Sequence, residues 1–351
     1  MGDFSAWQPK IEQREAQARA VGILAAPSDA FRKVSKPADI QFPDAWKSHP
    51  DFRQEWWYVT ANVKDTEGND YGVQWTLFRF GVSPGDASGW ENSQVYMAHV
   101  VVTTKDQQWS AERFARGGIG QAGVSGSPFS AWLDNWRWDS IKDDAFPAIL
   151  TAADDKFSFR LTMRSTGKPV LQGEDGFSRK HHALPVASYY YSVPGLMLSG
   201  KLTLDGKSFD VAGHGWVDRE WSSESLSRSQ SGWDWMSLQL SDGRKLMVSQ
   251  VRETGSKDAY KFGSLTSVRG ETTILSSKDI DMQPSQLVTL KNGRVVPSGW
   301  DITITQENLT LNVTPLNMES WLNFSFPYWE GPVEVTGDNI RGAGFLEMTG
   351  Y

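Results

Sequence analysis

Two stretches of the sequence place carboxyl groups among aromatic rings. The longer stretch, from Gly213 to Trp235, reads GHGWVDREWSSESLSRSQSGWDW and contains four Trp and four acidic residues. The shorter stretch begins at Glu55, which is followed directly by two Trp. A carboxyl group beside rings in a closed cavity has a raised pKa and can serve as an acid. Both stretches are therefore candidates for acid chemistry.

Glu55 stands at the start of an alternating strand, so it shares one strand face with Trp57 while Trp56 points the other way. The sequence leaves two roles open for it. Glu55 is either the acid of an aromatic cavity or a rim residue paired with Arg53 or Arg79.

His99 is a second candidate on a predicted strand, where it shares a face with Val95, Met97 and Val101. A lone His among apolar strand residues is either a core side chain with satisfied hydrogen bonds or a catalyst. The sequence alone leaves both roles open.

Metal and nucleophile patterns are missing from the sequence. The adjacent His181 and His182 would point to opposite faces of a strand, and no HxH or HExxH motif occurs. No G-x-S-x-G motif occurs either, and Ser222 and Ser223 have only His214 nearby. We therefore expect no metal and no cofactor, and hydrolysis is a weakly supported reaction.

The composition limits the class of protein. A chain of 351 residues suits two domains. The formal net charge of -7 and the pI near 5.4 argue against nucleic acid as a partner. The basic residues form no run that would bind an anionic membrane, and no apolar run has the length of a transmembrane segment. Cys is absent, which excludes disulfides and thiolate metal sites.

Aromatic residues are abundant, with 17 Trp, 17 Phe and 9 Tyr. Large rings, some with a polar edge, suit a cavity that holds an apolar, unsaturated ligand. For any single ring, ordinary core packing is the competing explanation. The close spacing of several Trp at alternating positions favours the cavity for the set as a whole.

A β module occurs twice in the chain. Each copy opens with a close pair of Trp in a strand and closes with an aromatic cluster, a turn and a G-x-G motif followed by an acid. The equivalent closing residues are Gly213, Gly215, Trp216 and Asp218 in the first copy and Gly342, Gly344, Phe345 and Glu347 in the second. This repetition predicts two domains, 40–221 and 232–351, joined by a connector at 222–231.

The first 39 residues are predicted to form an arm or linker, because Pro residues interrupt a helix-compatible segment. The beginning resembles an arbitrary cut, which predicts that an export signal, or a lipoprotein leader with its Cys, was removed. We therefore expect a periplasmic or secreted protein. A cytosolic protein with a loose N-terminal arm remains the alternative.

Nearly every segment after Asp39 is a short alternating strand bounded by turn residues. Strong hairpin signals occur at Ser241-Asp242-Gly243 and at Asn292-Gly293. This pattern predicts an all-β, antiparallel protein built from barrels that enclose a pocket.

The sequence resembles a known family across residues 42–351. The motifs that carry the resemblance are HPDFRQEWWYVTANV, QVYMAHV, ERFARG, VLQGEDGFSRK, ASYYYS, GWVDREWSS, GWDWMSLQL, YWEG and GFLEMTGY. In this order they are typical of the AttH/CrtC family of tandem lipocalin-like proteins, which includes carotenoid hydratase (hydroxyneurosporene synthase). The resemblance implies two lipocalin-like barrels packed face to face. It also implies an exported protein that works with an ABC-transporter system.

The hydratase branch of this family implies a specific chemistry. There an Asp in an aromatic site protonates a polyene double bond, and water traps the carbocation. The matching positions are Trp216, Asp218, Glu220 and Trp221, with Trp233, Asp234 and Trp235 opposite them. This chain departs from the pattern, because Arg219 stands between two acids where the hydratases are richer in His. Such an Arg would keep both acids ionised as a latch between barrels, so Asp234 becomes the better candidate acid.

Two functions follow from these observations. The first is a cell-envelope protein that binds a lipid, isoprenoid or polyene in an aromatic cavity, and the alternative is a cofactor-free hydratase, isomerase or cyclase of the carotenoid-hydratase type. The residues assigned to catalysis are Asp218, Glu220, His214 and Asp234. The residues assigned to ligand binding are Glu55, Trp56, Trp57, Tyr58, His99, Tyr190, Trp216, Trp221, Trp233 and Trp235.

Overall fold

The computed structural model describes residues 29–224, 226–256 and 258–351. Most of these residues lie in β-strands, which form two large antiparallel sheets and one small sheet of two strands. Each large sheet curves into a nearly closed barrel, so the predicted all-β fold of two tandem barrels is confirmed. Most of the predicted N-terminal arm, residues 1–39, lies outside the described residues.

The first sheet contains thirteen strands. They are β1 (Gln54–Asp65), β2 (Asp70–Gly81), β3 (Gln94–Thr103), β4 (Gln108–Arg116), β5 (Ala122–Gly126), β6 (Phe129–Leu133), β7 (Trp136–Ser140), β8 (Ala148–Ala153), β9 (Phe157–Ser165), β10 (Val170–Leu171), β11 (Phe177–Arg179), β12 (Ala187–Leu204) and β13 (Lys207–Ser222). Their order is β4-β3-β2-β1-β13-β12-β9-β8-β7-β6-β5, with β10 and β11 also paired to β12. Contacts of β6 with β2, β3 and β4 bring the two ends of the sheet together.

The second half of the chain contains twelve further strands. They are β14 (Gln230–Leu240), β15 (Lys245–Glu253), β16 (Tyr260–Thr266), β17 (Thr272–Leu275), β18 (Ile280–Pro284), β19 (Leu287–Thr289), β20 (Val295–Pro297), β21 (Trp300–Ile304), β22 (Leu309–Pro315), β23 (Trp321–Leu322), β24 (Tyr328–Gly337) and β25 (Ile340–Thr349). The second sheet has the order β17-β16-β15-β14-β25-β24-β22-β21-β18, β23 pairs with β24, and β19 with β20 forms the small sheet. Single 3-10 turns occur at Asp44–Trp46, Gly89–Glu91 and Thr305–Glu307.

The predicted hairpins are present. Gly243 lies in the turn between β14 and β15, and Gly293 lies in the turn between β19 and β20. Both glycines have a positive φ, of 88° and 84°, a conformation that a side chain would strain.

Alternation along the central strands separates two kinds of surface. In β1, Trp57 and Val59 face the core of the first barrel, whereas Trp56 and Tyr58 face the second barrel. In β14, Met236 and Leu238 face the core of the second barrel, whereas Trp235 faces the first. The outer faces of β1 and β13 therefore pack against those of β14, β24 and β25, and this contact is called the seam below.

The interior of the first barrel is filled by its own rings. Trp57, Trp75, Trp136 and Trp138 are fully buried. The Trp138 ring lies 5.7 Å from Trp46 and 6.4 Å from Trp75, measured between centroids. The aromatic cavity that the sequence analysis expected inside a barrel is thus occupied by packed indoles.

Two reciprocal hydrogen bonds join the barrels at one end of the seam. The Asn62 side chain of β1 donates to the Gly344 carbonyl at 2.9 Å. The Gln239 side chain of β14 donates to the Gly215 carbonyl at 2.8 Å. Gly215 and Gly344 belong to the two G-x-G motifs, so the repeat noticed in the sequence forms a pseudo-twofold contact.

Candidate active site

The seam holds a cluster of rings contributed by both barrels. Its buried members are Tyr58, Tyr190, Trp216, Trp235, Met247 and Phe345, with Trp56, Trp233 and Phe262 packed against them. Acidic side chains from β13, β24 and β25 lie on the same strand faces. The seam is therefore the place where acids and aromatic rings meet in this protein.

Asp218 is the buried acid that the first barrel contributes. Its carboxyl accepts hydrogen bonds from Ser192, from Tyr190 at 2.6 Å and from the Trp216 indole at 2.8 Å. Burial raises the pKa of Asp218 to about 7, against the lowering effect of these three donors, and the charge of Glu220 raises it further. Asp218 can therefore hold a proton close to neutral pH.

Glu347 of β25 is the counterpart of Asp218 in the second barrel. The Trp233 indole donates a hydrogen bond to it. Burial raises the pKa of Glu347 to about 7; the Trp233 donor lowers it, and the charges of Asp218 and Glu220 raise it. Acids from the two barrels are therefore electrostatically coupled across the seam.

Glu330 of β24 is paired in register with Glu347 and is almost fully buried. The Tyr58 hydroxyl of the first barrel donates a hydrogen bond to Glu330 Oε1. Burial raises the pKa of Glu330 well above its usual range, and the charge of Glu347 raises it further. Hydrogen bonding by the hydroxyls of Tyr58 and Tyr328 acts to lower it. Glu330 therefore keeps its proton to a higher pH than an ordinary glutamic acid does.

A polar chain runs beside Glu330 from the first barrel. His99 Nδ1 lies 2.9 Å from the Tyr328 hydroxyl, and His99 Nε2 lies 3.1 Å from Glu112 Oε1. Burial lowers the pKa of His99, although the hydrogen bond and the charge of Glu112 act to raise it. The lowered pKa keeps the ring neutral. Because a carboxylate accepts hydrogen bonds, Nε2 carries the proton and Tyr328 donates to Nδ1. His99 is thus a buried side chain with both ring nitrogens satisfied, and it lies in the seam.

Half-buried rings surround this acidic cluster at one end of the seam. Trp56 lies 6.5 Å from Phe78, and Phe78 lies 5.1 Å from His99. On the other side, Trp233 stacks on Phe326 at 5.9 Å. We call Trp56, Phe78, Phe80, Trp233, Phe324 and Phe326 the aromatic rim. Each is partly accessible to solvent, so the rim offers an apolar surface next to the acids.

The opposite end of the seam is closed. A crevice bounded by Trp216, Gly215 and Gly344 has an empty volume of about 150 Å³. Sites for drug-sized ligands usually measure about 300–1,000 Å³. A ligand would therefore reach the acids from the aromatic rim.

Several residues predicted from the sequence are together in the seam. They are Trp56, Tyr58, His99, Tyr190, Trp216, Asp218, Glu220, Trp233 and Trp235. Glu220 is held by an ion pair to Lys180 at 2.9 Å, and the Lys180 ammonium lies 4.6 Å from the Tyr190 ring centroid. This pair fixes the loop after β11 against the seam.

Glu55, Trp57 and Trp221 lie in the interior of the first barrel instead. Glu55 is fully buried and forms ion pairs with Arg79 and, at 2.9 Å, with Arg219. Burial acts to raise the pKa of Glu55, but the two guanidinium groups outweigh it and hold that pKa well below its usual range. Glu55 is therefore an ionised carboxylate that pairs with Arg79, as its alternative role required, but it lies in the barrel interior and not at the rim.

Asp234, the preferred acid of the sequence analysis, is separated from the seam by strand alternation. It shares the core-facing side of β14 with Met236, while its neighbours Trp233 and Trp235 face the first barrel. Its carboxylate pairs with Arg252 at 2.7 Å and accepts a hydrogen bond from Tyr351. Asp234 therefore lies in an internal network outside the seam, where burial raises its pKa against the charge of Arg252.

The expected role of Arg219 was also wrong. Alternation turns Arg219 to the core, where it pairs with Glu55, so it cannot hold Asp218 and Glu220 ionised. His214 is exposed and lies beyond the closed end of the seam. Neither residue contributes to the acidic cluster.

Glu330 and Glu347 were not predicted from the sequence as site residues. The signal for Glu347 was present, since it was aligned with Asp218 in the repeat. Glu330 would have followed from its cross-strand pairing with Glu347. Within the described ranges, no three His, Cys, Asp or Glu side chains form a group that could hold a metal ion.

The profile of the AttH-like family matches residues 33–351. The chain belongs to the AttH-like family. A comparison with curated protein sequences gives no match. Among solved structures, the AttH protein NE1406 from Nitrosomonas europaea is 30% identical, with a TM-score of 0.83 over 92% of this chain and 99% of its own.

Two more distant structures share the fold of this AttH-like chain. Kievitone hydratase from Nectria haematococca is 15% identical, with a TM-score of 0.65 over 91% of this chain and 96% of its own. CghA is 14% identical, with a TM-score of 0.52 over 85% of this chain and 88% of its own. In the described part of the chain, no helix has the length and apolarity needed to span a membrane.

Proposed function

We propose that this protein is a cofactor-free enzyme that protonates a carbon–carbon double bond of an unsaturated, largely apolar substrate bound in the seam. The observation that carries the proposal is the pair Asp218 and Glu347, whose pKa values are raised to about 7 on the two sides of one aromatic cluster. An acid with such a pKa is well matched to proton transfer near neutral pH.

The surroundings of the two acids suit this chemistry. Neutral donors, including Tyr190, Trp216 and Trp233, position the carboxyl groups. Indole and phenyl rings stabilise positive charge that develops on a protonated alkene. After proton transfer, water or loss of a neighbouring proton completes a hydration or an isomerisation. The shared fold with a protein named kievitone hydratase is consistent with such a reaction.

An apolar carrier is the second candidate, and the partly exposed aromatic rim favours it. Carriers need apolar surface, which Trp56, Phe78 and Phe326 provide. A carrier gains nothing from several carboxyl groups buried next to each other, because burial of ionisable groups opposes stability unless they are neutral or paired. The acids therefore favour catalysis over transport.

Turnover in heavy water tests the proposal. The purified protein is incubated in D₂O with isoprenoid polyenes, unsaturated fatty acids and conjugated enones, and mass spectrometry follows the gain of deuterium or of one water. We expect exchange or hydration with at least one class. Asp218→Asn and Glu347→Gln should each lower that rate by roughly 100-fold or more, the usual contribution of a general acid.

Matched variants provide the control. Asp210→Asn removes an exposed acid from β13, the strand of Asp218. Glu334→Gln removes an exposed acid from β24, which pairs with the strand of Glu347. Both should turn over like the parent protein. Tight binding of an alkene with no mass change in any reaction would support the carrier and contradict the enzyme.

A further inference from the structure

Glu330 has an arrangement that simple alkene protonation does not use. It lies on the seam-facing side of β24 with Tyr328, and only 1% of its surface is exposed. Oε1 accepts the hydrogen bond from Tyr58 of the opposite barrel. Oε2 is buried and has no hydrogen-bond partner among the described residues. A buried carboxyl oxygen without a hydrogen-bond partner lowers the stability of the folded protein, so its presence indicates a functional role.

The hydrogen bonds around Glu330 decide where its proton lies. Tyr58 donates to Oε1, so in the neutral acid the O–H group is on Oε2. The Tyr328 hydroxyl lies close enough to lower the pKa of Glu330, but it is 2.9 Å from His99 Nδ1, accepts from Gln74 at 3.1 Å and makes no hydrogen bond of good geometry to Oε2. When Glu330 is protonated, Oε2 is therefore a hydrogen-bond donor with no acceptor in hydrogen-bond geometry.

We propose that Glu330 donates this hydrogen bond to a carbonyl oxygen conjugated with the reacting double bond, so that the substrate is an apolar α,β-unsaturated carbonyl compound. The inference rests on the proposed function, in which Asp218 or Glu347 gives a proton to an alkene carbon, and it narrows the substrate class. For a conjugated carbonyl compound, negative charge on oxygen replaces the positive charge on carbon that a hydrocarbon alkene would develop. A hydrocarbon polyene has no acceptor and would leave the Glu330 donor unsatisfied. A conjugated carbonyl compound satisfies it and places its flat, apolar body among the rings of the rim.

Water is the only reactant that the reaction needs besides the unsaturated carbonyl compound. Water oxygen forms a bond to the β-carbon, and the π electrons of the double bond move to the carbonyl oxygen, where Glu330 stabilises the enolate. Asp218 or Glu347 then gives its proton to the α-carbon as the carbonyl re-forms. The proton released by the added water returns to that carboxylate. The product is the β-hydroxy carbonyl compound, and no oxidation or reduction occurs.

Access to Glu330 involves the segment between β23 and β24. Phe324 and Phe326 of this segment lie 6.4 Å and 6.0 Å from the Tyr328 ring. Ser325 is anchored to the first barrel through hydrogen bonds to Glu112. Under the proposal, a substrate carbonyl reaches Oε2 by displacing these rings.

A pair of dyes tests the inference without requiring turnover. Dimethylaminochalcone is a conjugated enone whose absorption moves to longer wavelength when its carbonyl accepts a strong hydrogen bond. Dimethylaminostilbene has the same rings but no carbonyl. We expect the protein to bind the chalcone with a red shift and roughly tenfold or more tightly than Glu330→Met does, because Met is similar in size but has no N–H or O–H to donate.

The stilbene keeps this test separate from effects on folding. Glu330→Met should bind the stilbene as the parent protein does, and Glu334→Gln should match the parent with both dyes. An unshifted chalcone, or an equal shift and affinity in Glu330→Met, would overturn the role of Glu330. Such a result would not contradict the protonation of hydrocarbon alkenes by Asp218 and Glu347. Conversely, unchanged turnover in the Asp218 and Glu347 variants would contradict the proposed function without altering the dye result.

Discussion

Asp218 and Glu347 occupy equivalent positions in the two barrels, and the charge of Asp218 raises the pKa of Glu347 across the seam. Asp218 is paired in register with Tyr58, and Glu347 is paired with Trp235. The Trp235 indole donates to the Tyr190 hydroxyl at 3.1 Å, and Tyr190 in turn donates to Asp218. The duplicated module thus contributes two copies of an acid to one candidate site.

Asp218→Asn should change how stability depends on pH. The pKa of Asp218 is about 7 in the folded protein and 3.8 when unperturbed. The folded state therefore holds this proton more tightly, so the free energy of unfolding falls as pH rises between these values and is constant above them. Asn does not titrate, so its stability relative to the parent should rise by at most about 4 kcal/mol across this window.

Urea denaturation at several pH values measures this difference. The control variant is Asp210→Asn, which removes an exposed acid from the same strand. It should show no such trend. A stability difference between Asp218→Asn and the parent that is independent of pH would mean that Asp218 is ionised throughout.

Trp233→Phe should raise the pKa of Glu347 above its value of about 7. The indole N–H stabilises the Glu347 carboxylate through a hydrogen bond, and Phe keeps a ring that can still pack on Phe326. Isotope-edited infrared titration of labelled Glu side chains measures the change. A pKa that stays the same or falls would show that this hydrogen bond does not control Glu347.

The sequence predicted the fold and the repeat because both depend on local patterns. The paired G-x-G motifs indicated two copies, and the structure shows them in reciprocal contacts of Asn62 with Gly344 and Gln239 with Gly215. Turn signals at Gly243 and Gly293 were likewise confirmed. Such features are visible in a short window of sequence.

The site was predicted only in part, because its chemistry depends on which strand face meets the other barrel. Asp218 was among the candidates, but Arg219 was expected to keep it ionised. The Asp234 assignment relied on neighbouring Trp residues and overlooked that adjacent strand residues point to opposite faces. Glu330 became a candidate only through its contact with Tyr58, which is distant in sequence.

Glu55→Gln should destabilise the protein strongly without touching the seam. Removing this carboxylate leaves Arg79 and Arg219 as buried charges without their partner, which typically lowers the free energy of unfolding by about 3–5 kcal/mol. Because the pKa of Glu55 is held low, the stability it contributes is present above its unfolded pKa and is lost on acidification.

Chemical denaturation near pH 7 checks the effect, with Glu174→Gln as the control. Glu174 forms an exposed ion pair with Lys36, and such pairs contribute about 1 kcal/mol or less. A similarly small effect for Glu55→Gln would show that the buried network does not stabilise the barrel.

Gly344→Ala should disturb the closed end of the seam. A Cβ atom at Gly344 would lie 2.0 Å from the Ser237 carbonyl oxygen of the neighbouring strand, so the backbone must shift. Overpacking of this kind lowers the free energy of unfolding by about 1–3 kcal/mol. At Gly167 no atom lies within 4 Å of the added methyl, which makes Gly167→Ala the control. Equal thermal stability of the two variants would contradict the close approach.

Infrared titration of the carboxyl groups tests the protonated acids of the seam most directly. We expect the C=O band of protonated carboxyl groups to persist near pH 7 in the parent protein. The band should lose most of its intensity in a variant combining Asp218→Asn, Glu330→Gln and Glu347→Gln, and should remain in Asp210→Asn. Ordinary carboxyl groups have pKa values on the order of 4. If the band of the parent protein has already disappeared when the pH is raised to about 5, in line with such ordinary values, an acid site between the barrels is contradicted.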